Sequence, residues 1–304
     1  PEPISQTSAN QVVGKAPAGR TEPSDRVALL TNLDAELAIE SISYNKLKIG
    51  PGRVVAKGAG ERLEIKLEPT GIADGLVGGI VTLVRQNEQT QLTWSGNGQG
   101  LSIEPIMQVA QPGQEAVLKG TGSFVTSGSG LQNEVPFRTH ASGMFNFDIA
   151  HGQFIRSPML QFLAKHTHVS ELERMGFDDF QGKVRLEGGW IHADALTVTG
   201  PLASMEGNVS VSPDDAADGR IFVKIGPSLA KRIKIPCMSA LLKTSDGFTA
   251  LPFAVRVNGP MKNLTFSADS AALNNAKGGV TSLTDTMKNL LRGCREAPSE
   301  ERAK

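Results

Sequence analysis

Along most of the chain, apolar and polar residues alternate in short runs. Leu37 and Ile39, Leu47 and Ile49, and Leu63, Ile65 and Leu67 show it, as do Val81 and Leu83, and Leu92 and Trp94. Phe145, Phe147 and Ile149 repeat it, followed by Val184 and Leu186 with, past Gly188, Trp190. Val209 and Val211, then Ile221, Val223 and Ile225, then Phe253, Val255 and Val257 continue it, and Leu264 and Phe266 close it. The positions between are polar: Glu64, Lys66, Asn146, Asp148, Arg185, Glu187, Lys224 and Arg256. A period of two places successive side chains on opposite faces of a strand. The pattern predicts a mostly β protein, with antiparallel strands that share one apolar and one wet face.

Helical periodicity is rare. Residues 102–109 (SIEPIMQV) predict one or two helical turns with an early proline. Ser157-Pro158 predicts an N-cap and first helical position, leading into Met159, Leu160, Phe162 and Leu163 as the apolar face. Ser170 and Glu173 have the spacing of a capping box. The clearest helix is predicted over 282–292, where Leu283, Met287, Leu290 and Leu291 share one side and Gly293 ends it. Residues 1–27 predict a flexible linker, 28–280 the β domain, and 281–304 the amphipathic helix with a polar tail.

Glycine marks joints along the β region. Gly143-Met-Phe-Asn-Phe-Asp-Ile before His151-Gly152-Gln-Phe-Ile, and Gly182-Lys-Val-Arg-Leu-Glu before Gly188-Gly-Trp-Ile, both predict strand, glycine turn, strand. Thr199-Gly-Pro-Leu and Val257-Asn-Gly-Pro predict turns of the same kind. The implied topology is a long meander of hairpins.

Composition narrows the function classes. Of 304 residues, 31 are Lys or Arg and 31 Asp or Glu, a formal net charge of zero, which disfavours nucleic acid as the main partner. Aromatic residues are few: twelve Phe, two Trp and Tyr44 alone. The core must therefore rest mostly on Val, Ile, Leu and Ala. Cys237 and Cys294 allow one bridge or two free thiols. No run approaches a membrane span, the best being Gly78 to Val84, and no apolar segment of a leader follows Pro1. The opening Pro-Glu-Pro predicts a fragment or mature product.

The candidates for chemistry have plainer structural readings. His166-Thr-His168 pairs two imidazoles that a strand would place on one face, with His140, His151 and Glu171 nearby in sequence, but third-ligand spacing is missing. Gly96-Asn-Gly98-Gln-Gly100 meets neither nucleotide fingerprint and predicts a turn. Gly128-Ser129-Gly130 lacks nucleophile-elbow spacing and predicts a flexible loop that tolerates insertion. Asp178-Asp179 and Asp214-Asp215 are paired carboxylates set among turn residues. Asn208-Val-Ser and Asn263-Leu-Thr match the glycosylation sequon, a short pattern that arises easily by chance. No catalytic set, metal or cofactor is predicted.

The order of segments over about residues 31–269 resembles the C-terminal region of the AsmA-like family, the TamB/AsmA type of periplasmic lipid-transport protein. The resemblance rests on Leu101 to Phe124, Ser142 to Ile155, Phe177 to Pro213 and Leu251 to Asp269. Within them, Leu118-Lys-Gly120-Thr-Gly122 and Ala150-His-Gly152-Gln-Phe-Ile occupy the places of a family strand and hairpin. Phe180-Gln-Gly182-Lys-Val, Gly189-Trp-Ile, Leu251-Pro252 and Val257-Asn-Gly259-Pro260 match later motifs.

The resemblance implies a long antiparallel sheet curled into an open groove, with acyl chains of phospholipids inside and a polar outside. It implies a non-enzymatic part in phospholipid transport between inner and outer membranes and in outer-membrane homeostasis. It also implies a periplasmic location and an inner-membrane anchor in the full-length protein, absent from this chain. Partners implied are phospholipid acyl chains and components of both membranes. Alternation then nominates Phe145, Phe147, Ile149, Val184, Leu186, Trp190, Val209, Val211, Val223, Phe253, Val255 and Val257 as the groove lining. The alternative function is an assembly factor that offers sheet edges to outer-membrane proteins.

Overall fold

A computed structural model of the chain describes residues 32–269, apart from 45, 87–88, 111–114, 133–136 and 231–246. The predicted linker, the helix over 282–292, the tail and both cysteines lie outside the described residues.

Among the described residues the alternating runs form fifteen strands. The first seven are β1 (Asp34–Ile39), β2 (Ile42–Tyr44), β3 (Leu47–Ile49), β4 (Gly52–Ala59), β5 (Arg62–Ile72), β6 (Gly75–Gln86) and β7 (Gln89–Ser102). Helix α1 (Ile103–Ala110) joins β7 to β8 (Leu118–Leu131). A 3-10 turn, Phe137–His140, precedes β9 (Ala141–Phe154). Helix α2 (Pro158–Thr167) and a second 3-10 turn, Ser170–Arg174, lead to β10 (Gly176–Glu187), β11 (Trp190–Thr199), β12 (Ala203–Val211) and β13 (Ala216–Ile225). Helix α3 (Pro227–Ala230) then precedes β14 (Thr249–Pro260) and β15 (Thr265–Asp269).

All belong to one sheet that runs β1-β4-β5 and onward in sequence order to β15, with the β2–β3 hairpin attached through β3 to β5. Every pairing is antiparallel. Among the described residues the sheet has β1 and β15 at its edges and is not closed into a barrel. It is a meander, as the glycine joints predict. Gly188 and Gly189 both take positive φ, 56° and 82°, in the two-residue turn between β10 and β11. A primed hairpin turn requires that backbone.

Four predicted breaks are instead interior strand. Gly96 to Gly100 lies within β7, and Gly128-Ser129-Gly130 within β8. Ala150 to Phe154 continues β9 with no turn, and Asp178-Asp179 lies in β10. The physical reasons are local. The pairing slips between Gly98 and Leu101, and between Lys119 and Thr121 against β9, where His151 takes φ 49°. Such bulges absorb residues that look like turns without ending the strand. At Gly128 a Cβ would lie 2.1 Å from the Trp94 ring, so that glycine seats an aromatic.

The sheet curls. Helix α2 follows β9 yet also touches β15, six strand spacings away. Laid flat, that separation is about 29 Å, well beyond the radius of a helix. The face turned toward α2 is therefore the inner one. Ser157 caps α2, its hydroxyl accepting from Leu160 N at 3.2 Å, as predicted. Ser170–Arg174 is capped by Val169 without a side-chain bond, so the predicted capping box does not form. Leu160, Leu163, Leu172, Met175, Ile225 and Val255 are buried around α2 and form the centre of the core.

Candidate functional site

Register carries the inner face from strand to strand, because residues paired across a ladder point the same way. One row runs Trp94, Gly128, Gly143, Leu186, Ile191 and Val211. The next runs Gly79, Gly96, Thr126, Phe145, Val184, Ala193 and Val209. These rows place Phe145, Phe147, Ile149, Val184, Leu186, Val209, Val211, Val223, Val255 and Val257 on the inner face. Phe253 shares it by alternation and packs against the core.

Trp190 does not join them. It pairs with Glu187 on the outer face, where it is 43% exposed and stacks on His192. The two-residue turn at Gly188-Gly189 explains the error: continuing the alternation of β10 through it gives the wrong parity. The slip between Gln181 and Val184 adds an extra residue on β11 further along.

Aromatic rings divide the inner face into two reaches. Phe124 and Phe145 stack at 5.5 Å, and Phe145 lies 6.0 Å from Phe147. Phe147 meets Phe180 edge-on at 5.0 Å, and Phe180, Phe154 and Phe177 extend the series. At the other end, the Trp94 ring lies over Gly128 and Gly143, one row beyond Phe145. Phe137 sits over Gly130, with its ring 6.3 Å from that of Trp94. Seven of the twelve phenylalanines and one of the two tryptophans form this ridge along β7 to β10.

Beyond the ridge, the part of the inner face next to α2 and α3 is filled, whereas Val184, Leu186, Ile191 and Val209, nearer the β10–β11 and β12–β13 turns, keep partial exposure. Ile149, Val223 and Val255 are buried in the cluster around α2, the second 3-10 turn and α3. Val211 and Val257 are also buried. Much of the predicted lining is therefore a plugged core.

Before the ridge, from β4 to β7, the inner face is open. Val54, Ala56, Leu63, Ile65, Leu67, Val77, Val81, Leu83 and Leu92 face inward by register, and all keep partial exposure. Gly79 and Gly96 pair directly in its midst. Nearest to an added Cβ at either are backbone atoms and the Thr126 methyl, with no ring or long side chain. At Gly98, Gly122, Gly128, Gly130 and Gly182, by contrast, an aromatic or aliphatic side chain of the chain itself fills the hollow. The result is an apolar surface with a shallow notch. Sequence alternation identifies Leu63, Ile65, Leu67, Val81, Leu83 and Leu92 as strand, yet nominates none as lining, and it does not mark Val54, Ala56 or Val77. The overlooked signal is distance from the helix-bearing connections: β4 to β7, like β10 to β13, follow one another through short turns, but α2 and α3 lie in the connections that flank β10 to β13.

The chemistry candidates disperse. His166 lies in α2, its Nδ1 2.9 Å from Phe162 O, and His168 is the helix's left-handed C-cap, so they share no strand face. Among the described residues, no three His, Cys, Asp or Glu are grouped so as to hold a metal ion. Asp178 is exposed beside the buried Phe177 and does not pair with Asp179. Asp179 faces Asp148 on the outer side instead, and burial first, then the charge of Asp148, pushes its carboxyl above the ordinary 3.8. Gln181 Nε2 donates to Asp179 Oδ2 at 2.6 Å. Asp214 and Asp215 lie in the β12–β13 connection, as predicted. Among the described residues, no helix is long and apolar enough to cross a membrane.

Comparison of the chain with protein-family models, with curated proteins and with solved structures finds no match.

Proposed function

We infer that this chain is a non-enzymatic lipid-binding groove module, and that its ligand lies on the open inner face of β4 to β7. The observation that carries the reading is the contrast between two stretches of one apolar face, one packed against α2 and α3 and the other, from β4 to β7, partly exposed and reached, among the described residues, only at one end by α1. Contiguous apolar surface left in water is costly and marks a binding surface. An acyl chain laid there gains about 0.8 kcal/mol for each CH₂ removed from water. Its head group stays hydrated beyond the strand ends, and no bond is made or broken. The AsmA-like resemblance adds the biological setting: phospholipid transport between the inner and outer membranes, in the periplasm.

The test is organic extraction of the purified chain followed by mass spectrometry, with photocrosslinking residues placed at Ile65 and Val81. Co-purifying phospholipid that crosslinks at both positions supports the reading. A chain that carries no lipid, takes none from vesicles and gives no crosslink overturns it.

A further inference from the structure

Arg138 makes a set of contacts that the lipid reading does not use. It lies in the 3-10 turn Phe137–His140, between β8 and β9. Its Nε donates to Gly189 O at 2.6 Å, in the β10–β11 turn. Its Nη1 donates to Asp215 Oδ1 at 2.6 Å, and its Nη2 to Val211 O and Ser212 O, all at the β12–β13 turn. One planar guanidinium thus binds three carbonyls and a carboxylate across two successive hairpin ends. On a flat sheet the β12 end of the β12–β13 turn would stand about 14 Å from the β9 edge, three strand spacings away. Only the curled sheet brings it within reach of one side chain.

The neighbour of Arg138 completes the arrangement. Phe137 presses on Gly130 and faces Trp94, at the end of the aromatic ridge. Phe137 and Arg138 therefore connect the ridge that separates the two reaches to the turns at the far side of the filled one.

We propose that Arg138 is a latch: it pins the Phe137–His140 strap over the curled sheet end and so keeps the ridge closed between the open reach and the filled reach. Release of the guanidinium frees the β12–β13 turn and lets Phe137 leave Trp94. The open reach then becomes continuous, past Trp94, with the partly exposed Leu186 and Ile191 of the same row. The conformational claim stands on these contacts alone, whereas its role in passing a ligand rests on the lipid reading.

Hydrogen exchange on the full chain, wild type against Arg138→Gln, tests the latch. Amides of 137–140 and 212–216 should exchange about tenfold faster, with those of α2 unchanged within about twofold. Asp215→Asn, a change at an exposed carboxylate, should give the same pattern at smaller amplitude and guards against a misfolded Arg138 variant. In a Trp190→Phe background Trp94 is the only tryptophan, and acrylamide should quench it more readily once Arg138 is replaced. Unchanged exchange at 212–216 in both variants, or loosening of α2 to the same degree, overturns the latch. For ligand passage the probe is 11-(dansylamino)undecanoic acid, which should leave the Arg138→Gln variant faster than wild type. Faster exchange with unaltered probe release overturns the gating role. No probe binding to wild type overturns the lipid reading and leaves the exchange result to judge the latch.

Discussion

The two reaches of the inner face are built from the same residue types and have opposite fates. In β4 to β7, tight turns join the strands, so Leu63, Ile65 and Val81 keep partial exposure. From β9 to β14, two of the connections carry helical segments, and these fold back onto the strands they join. Leu160 and Leu163 of α2 and Leu229 of α3 reach the face from there. Whether an apolar sheet face becomes core or surface is thus decided by the connections. The lesson is that lining residues of a groove are better sought away from the connections that carry helices.

Point changes can break this comparison. The largest effect is expected in the filled reach: Leu163→Ala should cost about 3–4 kcal/mol in urea unfolding, because the side chain is 0% exposed and leaves a cavity. A loss under about 1 kcal/mol would mean that α2 is not the centre of the core. In the open reach, Val81→Asp should lower co-purifying lipid about tenfold or more while shifting the unfolding midpoint of the delipidated chain little. If lipid retention is unaltered, the ligand does not lie on β6.

Ile65→Ala sharpens the contrast. Without ligand its cost should stay near 1 kcal/mol, below that of Leu163→Ala, and it should grow when an acyl ligand saturates the wild type. Equal costs for Ile65→Ala and Leu163→Ala would erase the distinction between the reaches.

The smallest effect is expected on the outer face. Asp179 has its folded pKa raised above the ordinary 3.8, so the folded state holds a proton that the unfolded chain has already released. Its contribution is fully present below 3.8 and declines as pH rises through the raised value. Measured as the stability difference between wild type and Asp179→Asn across acidic pH, the wild type should lose ground as pH rises. A difference that does not vary with pH would mean that burial and the charge of Asp148 do not raise the Asp179 pKa.

Much of the fold is legible in the sequence. The alternation of Leu63, Ile65 and Leu67 or of Ile221, Val223 and Ile225 predicts their strands and their shared face, and Ser157-Pro158 predicts the start of α2. Glycine is the main source of error. The same residue makes the Gly188-Gly189 turn, adjoins the bulge after Gly98 and seats Trp94 at Gly128, and local sequence does not separate these uses. The site was harder to place than the strands. Val223 and Val255 carry the same alternation as Ile65 and Val81, and only tertiary placement of α2 distinguishes a plugged stretch from an open one. Trp190 was misplaced because a two-residue turn resets the parity on which facing depends.

The meander order of the sheet also bears on how the chain is built and how it can evolve. Apart from β1 and the β2–β3 hairpin, each strand pairs with its neighbours in sequence, so most hairpins close over a short loop, and the longer connections carry α1, α2 and α3. Local closure of that kind makes for fast acquisition of structure. The sheet can grow from its free edge as successive strands become available, without waiting for a distant segment. By the same logic, gain or loss of a whole hairpin at an edge changes the length of the sheet and leaves the remaining pairings as they were. Length is therefore the property of this architecture most open to variation, as in solenoids that add one repeat at a time.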